Sequence, residues 1–274
     1  MLFIVRSVGD PAGMNIGDRL LELYVWEGIG KFEGNIAYRL TQEGENEIIM
    51  LTINEYHIYA ENLDKEIAKA FGAVEGIIFL SMHKSASGRK TLTVHPIGNY
   101  AKAEAGGRDY TLVPTMPGIM TEALRRLRSL AKNTEYSVSF EVTHHGPYLE
   151  VPTFFIEIGS DENAWNDINA AGIIAKSLMM AIQASPLLCK YTAVGVGGGH
   201  YVPRFSDFAM QGVCFGHMIP SYALPYIKKD IFKEAVEKTP NCTAVVIHKK
   251  SRENESSIDE VSEWARDMGL EIIM

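Results

Sequence analysis

The chain is short of several residues and patterns on which common functions depend. Only three of its 274 residues are cysteine, Cys189, Cys214 and Cys242, and no two form a C-x-x-C pair. An odd, widely spaced set reads as free thiols of a reducing cytosol rather than a disulfide framework, and it removes the usual thiolate zinc sites. Long apolar runs are also missing: no window reaches about 18 uninterrupted apolar residues. The opening MLFIVRSVGD meets Arg6 and Asp10 early, so neither a signal peptide nor a membrane span is expected, and a soluble cytoplasmic protein is the reading. Positive charge is not in excess. The formal net charge of −8 excludes a generally basic nucleic-acid coat and leaves local basic patches to be sought one by one. No Walker lysine motif, H-E-x-x-H or G-x-S-x-G occurs, so P-loop, zincin and esterase readings lose their customary support.

What is present is an ordinary globular composition, 46% hydrophobic and 22% charged, which argues against wholesale disorder. Short β-rich runs alternate with helical patterns. Strands are expected at 2–8, 48–53, 74–82, 91–95, 136–142, 153–158, 191–197, 213–219 and 243–248. Several are continuously apolar, as in strands covered on both faces. Helices fit 17–26, 62–71, 117–132, 229–238 and 257–268. A further helix follows Ser160 and Asp161, with Trp165, Ile168, Gly172, Ala175, Met179 and Ile182 on one apolar face and Ser185-Pro186 as its stop. The expected fold class is α/β: a single domain over 1–274 with a mostly parallel or mixed central sheet flanked by helices.

The eight histidines carry the most information. His83, His95, His144, His145, His200 and His217 all fall at or just beyond strand ends. If those strands run parallel, the six line the crevice where open α/β sheets bind ligands. One such histidine is ordinarily structural; six coincidences suit a metal-assisted hydrolytic site. In EVTHHGPY (141–148), strand alternation puts Glu141 and His145 on one face and His144 on the other, unless the Gly146-Pro147 break turns the chain. Glu157 is an acid inside the apolar run TFFIEI, read either as a buried carboxylate paired with a cation or as a catalytic group. GVGGGH (195–200) lacks the third glycine of a dinucleotide loop and does not lead into a good helix. Gly197, Gly198 and Gly199 are better read as close backbone approach to a substrate, with N–H groups for an oxyanion.

Basic clusters occur at Lys84, Arg89 and Lys90, at Arg125, Arg126, Arg128 and Lys132, at Lys228, Lys229 and Lys233, and at Lys249, Lys250 and Arg252. Each alone is an ordinary solvated face; together they could track a polyanion.

Taken in order, SMHKSASGRKTLTVHPIGN (81–99), EVTHHGPY (141–148), EIGS (157–160), GGGHYVPRF (197–205) and GHMIPSY (216–222) resemble the archaeal and plant D-aminoacyl-tRNA deacylases, as does the opening SVGDPAGMNI (7–16). The resemblance spans nearly the whole chain. It implies hydrolysis of the ester between a D-amino acid and tRNA, association with zinc, and a phosphorylase/hydrolase-like α/β domain. On that basis zinc is expected on some of His83, His95, His145 and His200. Glu141, His145 and Glu157 are then candidates for proton transfer or ligand orientation, and His144, His217 and Gly197–Gly199 for the substrate. Lys84, Arg89, Lys90, Arg125, Arg126, Lys228 and Lys229 would contact tRNA. A monomer acting on tRNA, with no DNA or membrane partner, is expected. The rival readings are attack assisted by the terminal ribose hydroxyl without catalytic zinc, a zinc peptidase or amidohydrolase, and a non-catalytic tRNA- or nucleotide-binding protein.

Overall fold

Strand runs that are apolar at every position must be covered on both faces, and the computed structural model, which describes residues 1–41, 47–184, 189–248 and 255–274, covers them so. In chain order the elements are β1 (Leu2–Ser7), α1 (Pro11–Leu23), β2 (Trp26–Phe32), β3 (Asn35–Leu40), β4 (Ile48–Ile53), α2 (Leu63–Phe71), β5 (Gly76–Lys84), β6 (Thr91–His95), β7 (Gly98–Asn99) and β8 (Thr111–Leu112). They continue as α3 (Pro117–Leu130), β9 (Ser137–Phe140), β10 (Thr153–Ser160), α4 (Glu162–Trp165), α5 (Ile168–Gln183), β11 (Tyr191–Val196) and α6 (Pro203–Met210). The last are β12 (Val213–Ile219), α7 (Lys229–Glu237), β13 (Ala244–Ile247), α8 (Glu255–Asp267) and β14 (Glu271–Ile273).

The result is an α/β domain with a mixed eight-stranded sheet, ordered β2-β3-β4-β1-β5-β10-β6-β9, and a four-stranded sheet ordered β12-β11-β13-β14. In the larger sheet β4, β1, β5 and β10 run parallel. Beyond them β6 is antiparallel to β10, and β9 is parallel to β6. Helices α1, α3 and α5 cover one face through Ile16, Leu20, Leu124, Leu127, Ile174 and Leu178, all fully buried. The same core takes in Phe205, Phe215 and Met218 from around the smaller, all-parallel sheet, so the two sheets share one hydrophobic interior.

Local chemistry sets several boundaries. Asp10 caps α1 by accepting from the Gly13 N–H at 2.6 Å, with Pro11 at the first helical position, so this helix begins well before the expected 17–26. Trp26 instead opens the β2–β3 hairpin, a glycine-rich edge that sequence reading passes over. The helix expected from Ser160 onward is two: Asp161 caps α4, which ends at Trp165, and Asp167 caps α5 by accepting from Asn169 and Ala170 N–H. Ala175, Met179 and Ile182 keep the buried face, but Ile168 is 59% exposed and Trp165 belongs to the preceding turn. The reading of three free thiols is corrected too: Cys189 and Cys214 are disulfide-bonded, and Cys242 is the free one. The Ser185-Pro186 stop and the Lys249, Lys250 and Arg252 cluster lie outside the described residues. No described helix is long and apolar enough to cross a membrane.

Candidate active site

The site starts from the middle of β10. Alternation places Phe155, Glu157 and Gly159 on one face, and register sets Phe155 beside His95, Glu157 beside Thr93 and Gly159 beside His83. His83 and His95 therefore lean toward Glu157 from opposite directions. Nδ1 of His83 is 3.5 Å from Glu157 Oε2, and Nε2 of His95 is 3.5 Å from Oε1. Gly159 makes this possible: a Cβ there would come within 2.3 Å of Thr91 Oγ1 and 3.1 Å of the His83 ring.

This geometry corrects the crevice expected at the carboxyl ends of parallel strands. Because β6 runs against β5 and β10, its end lies at the far side, and the histidines meet on the face of the sheet instead.

The second wall is the irregular stretch after β9, which is stitched between the two sheets. Glu141 N–H donates to Val94 O at 3.1 Å, Val142 N–H to His200 O at 3.0 Å, and Thr143 N–H to Met218 O at 2.9 Å. Glu141 is thereby held fully buried, with His200 Nε2 at 2.9 Å, His83 Nδ1 at 3.3 Å and His144 Nε2 at 3.6 Å. The adjacent histidines do not face opposite ways. His145 has φ of +47°, off the strand region, and its ring lies 4.5 Å from that of His144 and 4.9 Å from that of His95. Both join the cluster, and it is His144 rather than His145 that meets Glu141.

Hydrogen bonding fixes the tautomers. Nδ1 of His95, His144 and His145 contacts the carbonyls of Pro96, Val142 and Gly146 at 3.1, 2.8 and 2.6 Å. A carbonyl only accepts, so each Nδ1 carries the hydrogen, and the neutral ring offers Nε2 as a lone-pair donor. Nε2 of His83 contacts the Tyr201 hydroxyl at 2.8 Å.

Electrostatics divides the cluster. Burial opposes charge on His83 and His95, but Glu157 and Glu141 outweigh it and raise both above the ordinary imidazole range. Burial also opposes charge on the two acids. His95 and His83 nonetheless hold Glu157 well below the carboxylate range, and His200, His95 and His83 hold Glu141 below it. His144 is pushed well down, and His145 down to about 3, by burial and by neighbouring His95.

Three overlapping groups bring donor atoms within 4.8 Å of one another: His95, His144 and His145; His83, Glu141 and His200; and His95, Glu141 and Glu157. Both oxygens of Glu141 and Nε2 of His95 and of His200 are buried without an aligned hydrogen bond, the 2.9 Å approach of His200 to Glu141 being an ion-pair contact. Imidazole nitrogens and carboxylates with unsatisfied lone pairs are the donors a divalent zinc ion takes. The expected set of His83, His95, His145 and His200 is thus split between two groups, and His144, expected at the substrate, stands among the donors.

A family profile described as D-aminoacyl-tRNA deacylase matches residues 70–273. This chain belongs to the D-aminoacyl-tRNA deacylase family. It is 36% identical to a D-aminoacyl-tRNA deacylase of Pyrococcus furiosus, over all of this chain and 99% of that protein. It is 34% identical to that of Picrophilus torridus, over 90% of this chain and 89% of that protein. A crystal structure of a conserved protein of unknown function superposes with a TM-score of 0.88 and 34% identity, covering this chain fully and 94% of the other.

The structure of this family member places the remaining expected residues variously. His217 is fully buried and away from open space: Thr143 Oγ1, which accepts from Met218 N–H, donates to its Nδ1 at 3.1 Å, and its Nε2–H donates to Val113 O at 3.0 Å. Both nitrogens are occupied, so it ties strands together rather than offering an atom to substrate. The N–H groups of Gly197 and Gly198 are also occupied, by Ile219 O and Ser221 Oγ, which leaves Gly199 as the one of the three without an internal N–H bond among the described residues. Gly197 and Gly198 are glycines because φ of +96° and +92° turns the chain toward His200. Lys84 and Arg89 are exposed on the turn beyond His83, and Lys90 is ion-paired with Glu135. Arg125 donates twice to Ala209 O, Arg126 meets Glu122 at 2.6 Å and Lys229 meets Asp267 at 2.8 Å, while Lys228 is exposed.

Sequence reading missed Asp10 and His57. Oδ2 of Asp10 accepts from Met82 N–H at 2.9 Å and lies 2.8 Å from His57 Nε2. The His57 ring meets Phe155 edge-on at 5.1 Å, and Phe155 in turn stacks on His95. The available signal was an acid at the first cap of the chain, in SVGDPAG, and it says nothing of a histidine 47 residues on.

Proposed function

We propose that the chain hydrolyses the ester joining a D-amino acid to the 3′ end of tRNA, with zinc as cofactor. The supporting observation is the cluster of His83, His95, His144, His145 and His200 around the buried Glu141 and Glu157, in which both Glu141 oxygens and Nε2 of His95 and His200 lack an aligned hydrogen bond, in a member of this family. The ion would be held by Nε2 of His95, His144 and His145, which leaves His83 and Glu141 free to move protons. It would supply Lewis acidity toward the ester carbonyl.

The chain's own groups move the protons. Ionised Glu141 is the acceptor for a proton of the attacking water, and His83, whose Nδ1 lies 3.3 Å away, is the partner to which that charge is balanced. Protonated His83 is the donor to the departing ribose oxygen, since Glu157 and Glu141 keep it protonated more readily than an ordinary imidazole. Burial of Glu141 and Glu157 keeps bulk water from screening these charges. The exposed Gly199 N–H remains as an oxyanion contact, and the exposed Lys84 and Arg89 as contacts to the tRNA backbone.

The test is a deacylation assay on matched D- and L-aminoacyl-tRNA, with chelated and zinc-restored protein. Cleavage of the D-ester alone, lost on chelation and regained with zinc, is expected. Full activity of metal-free protein would reject the zinc and favour attack assisted by the ribose hydroxyl. Cleavage of peptides with both esters intact would replace the substrate class.

A further inference from the structure

A groove of about 550 Å³ lies outside the histidine cluster, lined by Ala101, Tyr110, Pro225, Tyr226, Ile227 and Lys228. One wall is the loop between β7 and β8, closed by Tyr110 N–H donating to Ala101 O at 2.9 Å. The other is the turn that follows β12. Both are anchored from beneath in one core cluster, through Tyr100 and Leu112 on one side and Leu224 and Ile227 on the other. The rings that line the groove are nevertheless left in solvent, Tyr110 at 54% and Tyr226 at 78% exposure.

Each wall is hydrogen-bonded to a segment of the active site. Gly98 N–H, at the start of the first loop, donates to His145 O at 2.9 Å. In the second, Ser221 N–H donates to Gly198 O and Gly198 N–H to Ser221 Oγ, both at 2.9 Å, two residues before His200. Both walls are therefore continuous in the chain with segments hydrogen-bonded to the cluster. Lys228 is the one charged residue in the groove's lining, and it makes no ion pair among the described residues; the acid next to Tyr110, Asp109, is exposed and accepts from Ala103 N–H at 2.8 Å.

We infer that this groove holds the unpaired 3′ nucleotides of a tRNA acceptor end, bases stacked on Tyr110 and Tyr226 and phosphates at Lys228. Exposed rigid aromatics with lysine are the recurring means of gripping single strands, because every base has a π-face and every linkage a charge. In a chain of net charge −8, a polyanion must find such a local patch. The assignment rests on the deacylase reading and adds the place where the nucleic acid lies.

The experiment compares wild type, Tyr226→Ala, Lys228→Glu and the stacking-competent control Tyr226→Phe on two substrates: D-aminoacyl-tRNA, and the same amino acid esterified to adenosine alone. KM for the tRNA should rise about tenfold in Tyr226→Ala and Lys228→Glu with kcat unchanged, and Tyr226→Phe should match wild type. Cleavage of the adenosine ester should be the same in all four proteins. Unchanged KM in both variants, or equal losses on the two substrates, would overturn the groove assignment. Direct binding of a short hairpin RNA ending in an unpaired CCA separates the two ideas. If wild type cleaves neither ester yet binds the hairpin more tightly than the variants do, the hydrolytic reading fails and the groove stands.

Discussion

The two sheets treat their buried histidines in opposite ways. On the eight-stranded sheet, Nε2 of His95 reaches no hydrogen-bond partner and its neighbours are two carboxylates and other imidazoles. On the four-stranded sheet, His217 has a neutral partner for each nitrogen and no acid in contact. An unsatisfied polar atom in an interior costs free energy that folding alone gives no reason to retain. The difference supports the proposal of a ligand at the first region, while the second holds shape.

The largest expected effect tests the first half of that contrast. Glu141→Gln keeps the volume of the side chain but removes its charge, and deacylation should fall by about a thousandfold, with circular dichroism unchanged. A fall of less than tenfold would break the contrast, because Glu141 would then be an ordinary buried acid. Cys214→Ser tests the second half. A disulfide closing 25 residues contributes about 3 kcal/mol in the loop-closure picture, so chemical denaturation should show a loss of that order, with kcat of the folded fraction unaltered.

His217→Ala leaves Thr143 Oγ–H and Val113 C=O without partners and should cost about 2–4 kcal/mol, again with kcat per folded molecule near wild type. A loss of kcat with stability retained would move His217 into the site. The same residue sets a pH dependence. Burial pushes His217 down to about 3, below its value in an unfolded chain, so the unfolded state takes up the proton first. Its contribution to stability is complete above about pH 6.5 and is lost as pH falls toward the folded value. Unfolding followed from pH 7 to 4 should show a decline that His217→Gln makes shallower, the remainder coming from His144 and His145, which burial pushes the same way. The smallest effect on stability is expected from Arg126→Ala: its side chain is 40% exposed and the buried Glu122 keeps Arg125 at 3.5 Å, so the loss should stay at about 1 kcal/mol in chemical denaturation.

How much of this was legible in the sequence differs from residue to residue. The apolar runs of β1, β4, β5 and β10 announce themselves, because complete burial leaves a continuous signature. The β2–β3 hairpin does not, since an edge ribbon with glycine at 28, 30 and 34 has no such signature. Strand ends located the histidines, but direction did not follow from composition. The antiparallel turn of β6, which moves the site from the sheet's edge to its face, is a matter of long-range pairing. His145 shows the same limit at close range: its positive φ depends on the Gly98 N–H that grips its carbonyl from 47 residues away, and alternation within EVTHHG could not reveal it. Gly197 and Gly198 signalled a tight turn correctly; which N–H groups that turn leaves free depends on Ile219 and Ser221.

The stitched stretch from Glu141 to His145 also bears on the order of events during synthesis. By the time Ser160 has been made, every strand of the eight-stranded sheet exists, with His83, His95, Glu141, His144, His145 and Glu157 already in the chain. The bonds that fix Glu141's segment from the other side, to His200 O and Met218 O, do not yet exist. A growing chain therefore passes through a stage that holds most of the donors without the geometry that gathers them, and the cluster closes only when the second sheet docks. On the zinc reading proposed above, metal affinity should thus appear late along the nascent chain, timed by residues that lie outside the first sheet altogether.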